Sequence, residues 1–150
     1  MQKTIKRVIR WLLFIAWLVF IFVMSNTPGD ISTEQSDVIV RFIGKIGVDI
    51  SGEFKNTISF CVRKAAHISE YIVLCVLAYR VISLYVEKGK ARLYSLILVF
   101  LYASSDEFHQ SFIPGREAAF RDVLIDTSGG LIGILLIILV DKIKKRRDNC

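Results

Sequence analysis

The apolar residues of this chain are gathered into runs whose lengths match, or nearly match, the thickness of a bilayer. Trp11 to Met24, Ile72 to Tyr79 and Val123 to Val140 are free of charge, apart from Asp126 in the last. Leu93 to Ala103, "LYSLILVFLYA", is a fourth and shorter run. A helix needs about 20 predominantly apolar residues to cross the hydrocarbon core. Only Val123 to Val140 approaches that length unaided; the other runs reach it when their polar flanks join the helix. At 53% hydrophobic, composition alone does not separate these 150 residues from a soluble domain. Clustering does. The expectation is an all-α membrane protein forming a single domain over 1–150, with four transmembrane helices at about 8–24, 67–86, 93–112 and 120–140.

The net charge is +6, and its placement is informative. "KTIKRVIR" precedes the first run, "EKGKAR" follows the second and "DKIKKRR" follows the last. Basic residues beside apolar runs are the mark of the positive-inside rule. With four spans, all three segments fall on one side. Both termini are then cytoplasmic, and the loops Ser25 to Ala66 and Ser105 to Asp122 face outward. A basic chain is also expected of a nucleic-acid binder, but topology accounts for these charges and no nucleic acid partner is expected. The N-terminal stretch has the basic and apolar regions of a signal peptide. It lacks a small-x-small cleavage site before "SNTPG", so it reads as a retained helix. Trp11 suits its inner interface.

Between the first and second spans, "STEQSDVIVRFIGKIG" places Ile39, Phe42, Ile43 and Ile46 at i, i+3, i+4, i+7 spacing. Two readings fit equally: an amphipathic helix on the outer membrane surface, or a helix that caps the bundle. "GVDISGEF" breaks the pattern. A new helix begins near Phe54 and ends near Val86, and "EKGKAR" forms an inner turn. Cys61, Cys75 and Cys150 show neither a CxxC nor any metal-like spacing.

The short third run leads into "SSDEFHQSFIPGR". A crossing helix counted from Leu93 must include Asp106, Glu107, His109 and Gln110. An acidic residue at a span's centre costs about 2.5–3.5 kcal/mol, and less toward its end. Such groups are expected to face protein or trapped water. The second span carries polar residues at the same level in "RKAAHISEY", with Lys64, His67 and Tyr71 on one face and Glu70 three residues after His67. The fourth opens with "FRDVLIDTSGGLIG". There Asp122 and Asp126 are i, i+4, and Gly129 and Gly133 continue the stripe as a GxxxG pair suited to close helix packing.

Three helices therefore bring charge to one end. The expected outward-facing site has His67, Glu70, Asp106, Glu107 and His109 as candidate catalytic groups. Lys64, Tyr71, Gln110, Arg116, Arg121, Asp122 and Asp126 are its candidate binding groups. His67 or Glu70 has the chemistry of a general base, and Arg116 and Arg121 that of a clamp for phosphate or carboxylate. The competing reading is a network in which Arg116 or Arg121 pairs with the carboxylates and locks the bundle. HxxE alone is a weak metal signal, and there is no HExxH, GxSxG or P-loop. No metal and no cofactor are expected.

"MSNTPGDIS", "RKAAHISEYIVL" and "SSDEFHQSFIPGREAAFRDVLIDTSGGLIG" occur in order from Met24 to Gly133. In these blocks the chain resembles the VanZ-like family of small bacterial membrane proteins. The resemblance implies a multi-pass protein of the bacterial cytoplasmic membrane that contributes to tolerance of glycopeptide antibiotics, teicoplanin more than vancomycin. It leaves the chemistry open. The expected partner is a membrane lipid, a lipid-linked envelope precursor or a lipoglycopeptide. The protein modifies it, binds and shields it, or has a polar network that serves helix packing alone. The topology is testable directly: a reporter fused after Cys150 is expected to behave as cytoplasmic, and an extracellular reporter signal contradicts four spans with an inside N-terminus.

Overall fold

In the computed structural model the described residues are 1–45, 53–116 and 118–148. The elements among them are all helices: α1 (Gln2–Ser25), α2 (Gly29–Lys45), α3 (Glu53–Ile82), α4 (Lys88–Gln110) and α5 (Phe120–Asp148). Helix α1, the Phe54–Ile82 part of α3, and α5 are each long and apolar enough to cross a membrane. The expected fourth span does not stand out in the same way. Helix α4 has 23 residues, about 34 Å at 1.5 Å per residue, so its length suffices. Its last turns are polar, and they turn inward: Asp106, Glu107 and Gln110 are only 6–7% exposed.

Several boundaries differ from the sequence expectation. The second span starts at the beginning of α3, well before residue 67, and stops at Ile82, short of Val86. The chain reverses over Ser83–Val86, where Leu84 N–H bonds Val81 O and Tyr85 N–H bonds Ile82 O. These i to i+3 bonds tighten the end of a helix. "EKGKAR" is therefore no turn. Lys88 to Arg92 form the first turn of α4, which begins before Leu93 and ends at Gln110. Helix α5 continues past Val140 to Asp148, because Lys and Arg are good helix formers and favour a helix C-terminus. Ile46, most of the "GVDISGEF" break and Cys150 lie outside the described residues.

Helix α2 docks by a face other than its apolar stripe. Ser32, Ser36 and Val40 are buried, whereas Ile39 and Phe42 are exposed, Phe42 by 66%. Asp37 ties α2 to α3, pairing with Lys55 at 2.6 Å and accepting from Ser59 Oγ at 2.6 Å. Lys55 first, then Ser59, holds the Asp37 carboxyl below its ordinary pKa.

Glycines decide how close the long helices come. A Cβ on Gly129 would lie 2.6 Å from the Ile68 carbonyl oxygen of α3, and one on Gly133 2.9 Å from Cys75 Cβ. Gly130 turns toward α4, where a Cβ would meet Val99 Cγ1 at 2.8 Å. Helix α5 thus touches α3 and α4 through adjacent small faces, the packing that GxxxG spacing favours. Aromatic donors join α1 to this group: Trp17 Nε1 bonds Glu70 O at 3.0 Å and Tyr102 Oη bonds Leu18 O at 2.7 Å.

The two ends of the bundle carry different charge. Arg10 Nη1 bonds Arg80 O and Trp11 Nε1 bonds Tyr85 Oη, both at 3.1 Å. Arg92 and Lys88 both reach Asp141, at 2.7 and 3.2 Å. The three basic segments therefore meet at one end. Residues 1–10, 80–92 and 141–148 hold 13 of the 20 Lys and Arg with three acidic residues. The opposite end holds the loop after α1, helix α2 and the polar ends of α3, α4 and α5.

Gly129→Ala is expected to destabilise the protein by about 1–3 kcal/mol, the cost of overpacking a close contact. Gly89→Ala, where a Cβ meets nothing within 4 Å, is expected to be neutral or to stabilise by roughly 0.5–1 kcal/mol. Thermal unfolding in detergent compares the two.

Candidate functional site

Two Pro-Gly turns interlock at the end opposite the basic segments. Gly29 N–H bonds Pro114 O at 3.1 Å. A Cβ on Gly29 would overlap the Gly115 carbonyl. Gly115 has φ +72°, a left-handed conformation that glycine adopts without steric cost. Neighbouring side chains extend this clasp. Gln110 Nε2 lies 3.3 Å from Ser25 Oγ, His109 Nε2 lies 3.0 Å from Asn26 Oδ1, and Arg116 Nε donates to Thr27 O at 3.2 Å. "SNTPG" is thereby held against "HQSFIPGR".

Most of the carboxylates here are committed to structure. Asp106 Oδ2 accepts from Tyr71 Oη at 3.2 Å and Gln110 Nε2 at 3.1 Å. Glu107 Oε1 accepts the Ala119 N–H at 2.7 Å, just ahead of α5. A carboxylate there satisfies an otherwise orphaned donor and complements the positive end of the helix dipole. Asp122 pairs with Lys64 at 2.6 Å, while Arg121, 71% exposed, approaches it only to 3.8 Å.

Two cavities open between these elements. The larger, about 290 Å³, lies among α3, α4 and α5, and its walls include Lys64, Glu107, Gln110, Arg121, Asp122 and Asp126. The smaller, about 140 Å³, lies between α2, the end of α1 and α3, with Thr27, Ser36, Ile39 and Glu70 in its wall. Arg63, His67 and Arg116 line both. These three side chains form the partition.

The partition has unspent hydrogen-bonding capacity. Arg63 Nη1 donates to Thr33 Oγ1 at 3.1 Å, and Arg116 Nη1 makes a long 3.4 Å contact with Gln110 Oε1. Among the described residues neither arginine has a carboxylate within 4.0 Å. Burial, then the charge of Arg63, lowers the Arg116 pKa. His67 Nδ1 is buried without a hydrogen-bond partner.

The structure therefore sorts the residues singled out in the sequence. Lys64, His67, Glu70, Glu107, Gln110, Arg116, Arg121, Asp122 and Asp126 line one cavity or the other. Asp106 and Tyr71 are buried and bonded to each other. His109 stacks on Phe22 with ring centroids 5.0 Å apart and binds Asn26. Of the competing network, in which Arg116 or Arg121 pairs with the carboxylates, the described residues show only the 3.8 Å approach of Arg121 to Asp122, whose other oxygen is taken by Lys64. Sequence reasoning missed Arg63, although it stands one turn before His67 in the same motif. It also missed Ser25, Asn26 and Thr27, whose role depends on a contact between distant turns. Among the described residues no three His, Cys, Asp or Glu side chains are grouped to hold a metal ion.

A sequence model of the VanZ/LLP1 family matches residues 10–141, and the chain belongs to that family. No curated protein and no solved structure matches it.

Glu107→Gln keeps an acceptor for the Ala119 N–H, whereas Glu107→Ala removes it. The alanine variant is expected to be the less stable of the two by about 1 kcal/mol, the usual cost of a lost cap. Their melting temperatures at neutral pH provide the comparison.

Proposed function

From membership of the VanZ/LLP1 family, we propose that this protein holds a phosphate-bearing headgroup, of an envelope lipid or lipid-linked precursor, at the outer-leaflet end of a bacterial cytoplasmic membrane bundle. In this reading α4 crosses together with α1, α3 and α5, its polar end shielded by its neighbours. The basic end is cytoplasmic and contains both termini, as the positive-inside rule requires. Helix α2 lies along the outer surface, with Ser32, Ser36 and Val40 on α3 and Ile39 and Phe42 toward the acyl boundary.

The observation that carries the reading is the pair Arg63 and Arg116, which line both cavities and, among the described residues, have no carboxylate within 4.0 Å. Partly buried like charges are costly to hold together unless an anion joins them. Guanidinium forks match phosphate oxygens in geometry and charge. His67 lines both cavities with them and offers a further donor or acceptor. Glu70 and Asp126, one in each cavity, suit hydroxyl or ammonium groups of the headgroup. Binding accounts for these residues more fully than catalysis, because Asp106 and Glu107 are engaged in holding helices. His67 and Glu70, which share the smaller cavity, are the pair through which a reaction would proceed. Occupying or shielding such a headgroup would reduce the action of teicoplanin at the envelope.

The test joins lipid retention to phenotype. Mass spectrometry of the purified protein is expected to find a phosphorus-bearing lipid retained by the unaltered chain. Retention should fall at least about tenfold in the folded variant Arg63→Ala, Arg116→Ala, since each charged hydrogen bond is worth about 1.5–3 kcal/mol. Teicoplanin tolerance should fall with it at equal protein level. A folded double variant that keeps both lipid and tolerance refutes the proposal.

A further inference from the structure

The opposite end of the bundle has a cavity of its own, about 650 Å³, between the start of α4 and the end of α5. Lys88, Arg92, Lys142, Lys144 and Lys145 line it with Asp141 and Asp148, above Ile138. Asp141 is engaged by Arg92 at 2.7 Å and by Lys88 at 3.2 Å. Among the described residues no carboxylate lies within 4.0 Å of Lys142, Lys144 or Lys145. Arg92 Nε is buried without a hydrogen-bond partner, so this guanidinium has a donor beyond those directed at Asp141.

We propose that this cavity is a second binding site, which takes the phosphate of an anionic lipid headgroup in the leaflet at the basic end. Depth supports the assignment. The apolar run of α5 ends at Val140, and Lys142 follows Ile138 by one helical turn. The lysines therefore stand where hydrocarbon gives way to headgroups. Basic pockets between membrane helices at this level suit anionic headgroups, and the attraction grows with each Lys or Arg at the surface. Asp141 organises the floor by fixing Lys88 and Arg92 on α4 against α5, which leaves the three lysines to receive the phosphate. The site is separated from Arg63 and Arg116 by the length of the bundle and does not depend on what binds there.

Native mass spectrometry of the full chain in neutral detergent, titrated with phosphatidylglycerol or phosphatidylcholine, tests this. Phosphatidylglycerol is expected to bind at least about tenfold more tightly. The variant Lys142→Gln, Lys144→Gln, Lys145→Gln should lose that preference with its melting temperature unchanged. Should it insert poorly, Lys142→Gln with Lys145→Gln should weaken the preference in the same direction. Arg63→Ala with Arg116→Ala should leave it intact. A folded lysine variant with undiminished preference overturns the proposal, as does its loss in the arginine variant. Inorganic phosphate at millimolar concentration should fail to displace the lipid; displacement would assign the cavity to a soluble phosphate and overturn the lipid site.

Discussion

The close approach of α5 to α3 is the constraint on which the rest of the structure depends. Gly129 and Gly133 leave no room for a side chain against Ile68 and Cys75. In a bilayer, helices gain little from burying apolar surface, because lipid tails are as apolar as leucine. Contact has to come from fit, and small residues let the backbones meet. On the adjacent face of the same helix, Gly130 admits Val99 of α4. The register set by these glycines brings Asp122 beside Lys64 and the start of α5 beside Glu107.

That register creates a division of labour among polar groups. Asp106, Glu107 and Asp122 would be expensive to bury alone. Each is answered by a neighbour from another part of the chain: Tyr71, the Ala119 N–H and Lys64 respectively. The turn at Gly29 then closes over Gly115 and draws Arg116 to Thr27. What remains open is the wall formed by Arg63, His67 and Arg116. The scaffold and the open wall are built from the same three motifs, and Arg116 serves in both.

Much of this was legible in the sequence, for identifiable reasons. Apolar runs mark helices that must hide their backbone from lipid, so the helical class follows from them. Depth counting showed that Asp106, Glu107 and Gln110 belong to α4, and GxxxG showed the packing face of α5. Boundaries were less legible. Nothing local in "EKGKAR" distinguishes a turn from a helix start, and the reversal at Ser83–Val86 carries no proline or glycine. The stripe of Ile39 and Phe42 was visible, but which face of α2 meets α3 depends on Asp37 finding Lys55 and Ser59. Residue type alone also could not separate satisfied carboxylates from free ones. That division depends on partners 12 to 58 positions away, and the turn-to-turn clasp spans a greater separation still.

The charge map gives the molecule two chemically distinct ends, one basic and one with acids and bases interleaved. Among the described residues Arg63 and Arg116 have no carboxylate within 4.0 Å, and the role proposed for the pair is to share a phosphate. Solid-state NMR dipolar recoupling between phosphorus and the guanidinium carbons of arginine-labelled protein in lipid measures this directly. Short phosphorus contacts to two arginines are expected, lost when Arg63 and Arg116 are replaced by Lys and retained when Arg92 is replaced by Lys. A set of phosphorus–arginine contacts unchanged by the Arg63 and Arg116 replacements, or no contact at all in the unaltered protein, would contradict it.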